Sequence, residues 1–130
     1  MKPRPSAIHT GRAPRPVGPY SQAVVAGDWI FVSGQIPLDP ESGSMVEGEI
    51  EAQTERVLAN LRAVLETAGA SLADVVRTTV FLADLADFQG MNAVYARHFS
   101  TSPFPARSTI QAARLPLGAR VEIDAIARKP

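Results

Sequence analysis

Residues 72–84 read LADVVRTTVFLAD. From Val75 to Leu82 the run is rich in β-branched and aromatic residues and is bounded by Asp74 and Asp84, which predicts a strand. With strict two-residue alternation, Val75 and Phe81 fall on one face and Val76, Val80 and Leu82 on the other. Both faces are substantially apolar, as in a strand whose sheet is covered on both sides. The fold then depends on what the rest of the chain supplies as cover.

Two helices flank this strand. Over residues 49–68, Ile50, Val57, Leu61, Val64, Leu65 and Ala68 share one helical face, and Gly69 is placed to end the helix. Over residues 87–99, a second amphipathic helix carries Phe88, Met91, Val94, Tyr95 and Phe99, with Leu85 at its approach. SQAVVAGDWIFVSGQ (21–35) holds two short β-rich runs about Gly27-Asp28, a hairpin pattern, whereas PLDPESGSM (37–45) is turn chemistry. Residues 107–114 and 119–127 predict two further strands separated by LPLG. Residues 1–19, with prolines at 3, 5, 14, 16 and 19, predict an extended, loosely ordered lead-in, of which 1–15 precede the folded body.

The order β-β-α-β-α-β-β makes one α+β domain over residues 1–130 with both helices on one sheet face. The strand at 121–127 repeats the two-faced pattern, with Val121, Ile123 and Ala125 opposing Ile126. Two helices cover one face and no segment is left for the other. Copies of the chain are therefore expected to cover it for one another, because a large bare apolar face is unusual on a soluble monomer.

Composition narrows the function classes. The 130 residues are 45% hydrophobic and 20% charged, enough for a real core. Thirteen basic residues balance thirteen acidic ones, which removes the simplest electrostatic case for a nucleic-acid or membrane-surface partner. The absence of cysteine excludes disulfides, cysteine–zinc sites and a thiol nucleophile. No run approaches the ~18 apolar residues of a membrane helix, and the proline-rich N-terminus lacks a secretory core, so a cytoplasmic protein is expected.

Candidate chemistry begins in PFPARSTIQAARLP (103–116). Pro103 and Pro105 stiffen the approach to Arg107, whose planar guanidinium suits a carboxylate bidentately. A surface arginine or a structural ion pair is the alternative. Glu122 alternates with Val121 and Ile123 in a strand expected to be buried; desolvation raises a carboxyl pKa, which suits a general base or water holder. The alternative is an edge charge facing solvent. Tyr20 in GPYSQAV and Ser33 in VSGQIP sit at strand ends, and Asn92 lies one residue from core-facing Met91. There is no GxSxG to make Ser33 a nucleophile. His9 and His98 form no metal-ligand spacing, and Asp84 and Asp87 suit a turn and a helix cap. No metal or nucleotide cofactor is indicated.

Together GPYSQAV, FVSGQIPLDP, VVRTTVFLADLADF, MNAVYARHF and FPARSTIQAARLPLGARVEIDAIA resemble the RidA/YjgF family of reactive-intermediate (enamine/imine) deaminases, also described as endoribonuclease L-PSP proteins. The resemblance runs in order from about Ala13 to Ala127. It implies the chorismate-mutase-like α+β fold, with a sheet of about six strands and two helices on one face. It also implies a homotrimer around a central β-barrel, with ligand clefts between subunits. The implied reaction is hydrolysis of 2-aminoacrylate and related 2-imino acids, released by pyridoxal-phosphate enzymes, to 2-keto acids and ammonia, with no cofactor.

Carried over by position, the resemblance makes Arg107 the substrate-carboxylate clamp and Glu122 the water-positioning glutamate. Tyr20 and Ser33 become cleft residues able to relay protons, Asn92 the helix asparagine, and Gly34 a cleft residue whose missing side chain leaves room for a ligand. Thr109 stands where some members carry cysteine. The expected ligand is an imino or keto acid, with no nucleic acid and no membrane. Two other classes stay open: a non-catalytic metabolite-binding or holdase protein, and RNA cleavage, which two lysines near the chain ends and two isolated histidines serve poorly.

Overall fold

In the computed structural model, which describes residues 3–130, six strands form one sheet and two long helices pack on one of its faces. The strands are β1 (Ser6–Ile8), β2 (Ala23–Ala26), β3 (Trp29–Gln35), β4 (Val75–Leu82), β5 (Ala106–Gln111) and β6 (Val121–Arg128). Helix α1 (Ile50–Thr67) lies between β3 and β4, and α2 (Phe88–His98) between β4 and β5. The sheet order is β1-β2-β3-β6-β4-β5, antiparallel except for the parallel pair β4–β5. The last two strands of the chain are therefore not partners: β4 pairs with both, and β6 sits between β3 and β4.

Helix α1 ends as its sequence predicts. Gly69 takes φ +84°, its N–H donates to Glu66 and that of Ala70 to Leu65, which satisfies the last carbonyls in a left-handed cap. Val57, Leu58, Leu61, Val64 and Leu65 of α1 meet Met91 and Val94 of α2 over Ile30, Val80, Leu82 and Ile123 of the sheet. Leu85 is not part of the second amphipathic face; it opens a short 3-10 turn (Leu85–Asp87) and is exposed. Asp84 caps that turn by accepting from the Ala86 N–H at 2.9 Å. Asp87, at the N-cap of α2, spends its carboxylate on Arg120 instead.

Two sequence expectations change. The lead-in is not loose throughout: Ser6–Ile8 pairs with Ala23–Val25 as the edge strand β1, while Met1 and Lys2 lie outside the described residues. The strict alternation drawn for Val75–Leu82 also fails at its start. A register shift between Val75 and Arg77 turns Val75 onto the helix-covered face with Thr78, Val80 and Leu82, so Val75 and Phe81 face opposite ways.

The face away from the helices carries Phe31 opposite Ile126 and Phe81 opposite Glu122 and Ile110. Phe31 is 46% exposed and Ile110 47%. In one chain this apolar face is bare, as the residue pattern predicts. None of the described helices is long and apolar enough to cross a membrane.

Candidate functional site

The predicted site residues fall into two groups, and the sheet separates them. Arg107 pairs with Thr78 across β4–β5, and Thr78 is buried against α2 with its hydroxyl 2.7 Å from that of Tyr95. Arg107 and Thr109 therefore point to the helix side. Glu122 pairs with Phe81 across β4–β6 and points to the bare side. Within one chain the two central candidates stand on opposite faces of the sheet.

The first group is an arginine on an aromatic bed. The Arg107 guanidinium lies over Tyr95, 4.7 Å from the ring centre, and 5.5 Å from that of Phe88. Its Nη1 donates to Asn92 Oδ1 at 2.7 Å. Tyr95 is in turn fixed by Thr78, so the plane of the guanidinium is held by three residues of α2. Nearby, the Thr109 hydroxyl oxygen is buried and lacks a hydrogen-bond partner among the described residues. This is a half-built polar site, with planar donors and one unpaired hydroxyl.

The second group lines a cleft of about 610 Å³ that includes Tyr20, Ser33, Gly34 and Glu122. A β-bulge builds it. Between the pairs Val32–Ala125 and Gln35–Ile123, β3 carries one residue too many, and Ser33-Gly34 bows out at that point. The space left by Gly34 is filled by Glu122: a Cβ there would overlap its carboxylate and lie 2.9 Å from Cδ. The missing side chain thus makes room for the glutamate itself. Burial first, and the negative charge of Asp124 second, raise the pKa of Glu122 above the ordinary 4.5. Among the described residues no hydrogen bond offsets them.

The hydroxyls of this cleft are not equivalent. Ser33 Oγ donates to the Ser21 carbonyl at 2.6 Å, so its proton is committed. Tyr20 accepts from the Val17 N–H at 3.4 Å and keeps its own proton to give.

Sequence reasoning missed three contributors. Phe88 and Tyr95 read as core-facing helix residues, yet they also carry Arg107. Gln22 passes for a polar strand residue but is only 1% exposed. Its side chain accepts from the Thr10 N–H at 2.7 Å and donates to the carbonyls of Thr10, Ala13 and Pro14. It thereby pins the segment whose continuation, through Arg15, Val17 and Tyr20, walls the cleft. The available signal was its place next to Tyr20-Ser21, where the chain turns into β2.

Elsewhere, His98 is held at both ring nitrogens, by Arg62 at Nδ1 and by Glu55 at Nε2, each 2.8 Å away. The Glu55 carboxyl is opposed by burial but lies below its usual range because His98 and Arg97 hydrogen-bond to it. Among the described residues no three histidine, aspartate or glutamate side chains converge as a metal site.

The endoribonuclease L-PSP family model matches residues 10–129, nearly the whole chain. The chain belongs to the RidA/YjgF (endoribonuclease L-PSP) family. It is similar to a RutC family protein of Pyrococcus abyssi, 54% identical over 94% of this chain and 95% of that one. It is also similar to the chloroplastic Reactive Intermediate Deaminase A of Arabidopsis thaliana, 49% identical over 92% of this chain and 64% of that one. The crystal structure of a putative endoribonuclease from Thermotoga maritima superposes with a TM-score of 0.93 at 53% identity, covering 96% of this chain and 98% of that one. The family therefore includes a reactive-intermediate deaminase, and its solved members share this fold.

Proposed function

We propose that the chain is a cofactor-independent deaminase that hydrolyses 2-aminoacrylate and related 2-imino acids to 2-keto acids and ammonia. The observation that carries this reading is the division of the site. A braced guanidinium stands on one face of the sheet, and a carboxylate of raised pKa lines a cleft on the other. Neither half suffices for the reaction. In a closed homotrimer, the β5 edge of one copy, which carries Arg107, packs against the bare face of the next and brings Arg107 to that copy's Glu122.

In that arrangement the free edge of the Arg107 fork takes the substrate carboxylate, which presents the imine carbon to the cleft. Glu122 orients a water and accepts one of its protons as the oxygen adds to the C=N carbon. 2-Aminoacrylate reacts as its imine tautomer; nitrogen takes up one proton as the carbinolamine forms and a second as it collapses, when C–N breaks, the hydroxyl gives up its proton to form C=O, and ammonia leaves. Tyr20 is the better placed donor, since the Ser33 proton already serves Ser21. General acid–base help of this kind supplies on the order of 10²–10⁴-fold.

Glu122 distinguishes this reading from a keto-acid receptor, which needs the arginine but no positioned water. RNA cleavage is the weaker alternative, because both nitrogens of His98 are engaged and the net charge is zero. The test is to generate 2-aminoacrylate from serine with a dehydratase and follow pyruvate release, with Arg107→Ala as control. Acceleration by the wild type alone supports deamination; no acceleration from any amino-acid precursor defeats it.

A further inference from the structure

In a single chain, before a second copy covers the bare sheet face, the cleft beside Glu122 has more room than a three-carbon imino acid fills. Its volume is about 610 Å³, and beyond Tyr20 its walls are mostly aliphatic, with Ile36, Leu38, Val17 and Leu117 and with Arg15 beside Val17. Two of these are anomalous as parts of a monomer surface. Val17 is 88% exposed and Leu117 75%. Leu117 is also the one non-glycine residue with positive φ among the described residues, at φ 56°, ψ 24°, inside the turn Pro116–Gly118.

The left-handed conformation disfavours a leucine and suits glycine or asparagine. A side chain so exposed gains nothing from packing within the chain that would offset this strain. An unrelieved outlier of that kind, standing on the rim of a cleft, points to a role at the cleft. The Val17 side of the rim is equally deliberate, because Gln22 anchors the preceding segment through Thr10, Ala13 and Pro14.

We propose that Leu117, with Val17 on the same rim, reads the substrate's side chain, and that the preferred substrates are 2-imino acids with a branched or extended aliphatic side chain. This rests on the deaminase reading above. With the carboxylate on Arg107 and the imine carbon over Glu122, a side chain longer than a methylene reaches the aliphatic wall, whereas 2-aminoacrylate leaves it unfilled.

The experiment compares kcat/KM for imino acids made in situ from leucine by an amino-acid oxidase and from serine by a dehydratase. It uses the wild type, Leu117→Gly and Leu117→Asn. Both substitutions suit the left-handed backbone, so the thermal midpoint is not expected to fall. The wild type should favour the leucine-derived substrate, and the leucine-to-serine ratio should drop on the order of tenfold in both variants. A wild-type preference for the serine-derived substrate, or a ratio unchanged in both variants, overturns the inference while leaving deamination standing. An altered sedimentation coefficient with an unchanged ratio also overturns it, by reassigning Leu117 to subunit contact. No acceleration with any precursor would remove the deaminase reading and this inference together.

Discussion

Gly34→Ala probes the joint on which the carboxylate half of the site depends. The Gly34 backbone is not left-handed, so alanine fits it without torsional strain. What it cannot fit is Glu122: the new methyl would overlap the carboxylate and stand 2.9 Å from Cδ and 3.1 Å from Cγ. Either the glutamate leaves the cleft or the bulge moves. Overpacking of this kind costs about 1–3 kcal/mol, and loss of a positioned base lowers turnover by about 10²–10⁴-fold.

Because the three nearest atoms all belong to the Glu122 side chain, Glu122→Ala should relieve the conflict. In that background Gly34→Ala should be neutral or stabilising by about 0.5–1 kcal/mol, as alanine normally is against glycine in a strand. The two substitutions should therefore couple by about 1–3 kcal/mol. Urea unfolding of the four proteins at one protein concentration, together with keto-acid release, measures both quantities. Additive costs within about 0.5 kcal/mol, or wild-type turnover in Gly34→Ala, would refute the argument.

The raised pKa of Glu122 fixes the sign of two pH effects. The folded state holds this proton more tightly than the unfolded chain, so the group's contribution to stability is fully present below 4.5 and is lost as pH rises through the folded value; Glu122→Gln should gain thermal stability over the wild type across that rise. Wild-type turnover should fall as pH drops and Glu122 takes up its proton, and a profile that stays flat through the acid limb would contradict the assignment. Arg107→Lys keeps a cation over Tyr95 but loses the planar fork, so kcat/KM should fall roughly ten- to a hundredfold, and wild-type rates would reject the clamp. Gln22→Leu strands backbone groups of residues 10–14, costing about 1–3 kcal/mol; hydrogen exchange at the Thr10 amide should accelerate, and unchanged protection would count against the anchor.

Much of the architecture was legible because local signals agreed with tertiary demand. The α1 pattern and Gly69, and the β-rich run ending at Leu82, needed no distant information. The limits came where geometry departs from ideal periodicity. A bulge after Val75 reverses the parity of one strand end, and nothing in the side chains of Val75-Val76 announces it. The edge strand Ser6–Ile8 exists through pairing with β2, a long-range contact that a proline-rich segment conceals. The site residues were visible as types, but their distribution over two sheet faces follows from strand order, with β6 inserted beside β4. Likewise the contact of Glu122 with Gly34 follows from the pairing of β6 and the bulge in β3, which the glycine alone does not announce.

In the proposed assembly a working site takes Arg107 from one copy and Glu122 from another. Arg107→Ala and Glu122→Gln proteins, each inactive alone, can be unfolded together in equal amounts and refolded as mixed assemblies. If each site spans two copies, about one quarter of the sites in a random trimer combine an intact arginine with an intact glutamate, and keto-acid release should return to about that fraction of wild type. If both residues served a site within one chain, no mixture could contain an intact site, and activity would stay at the level of the separate variants.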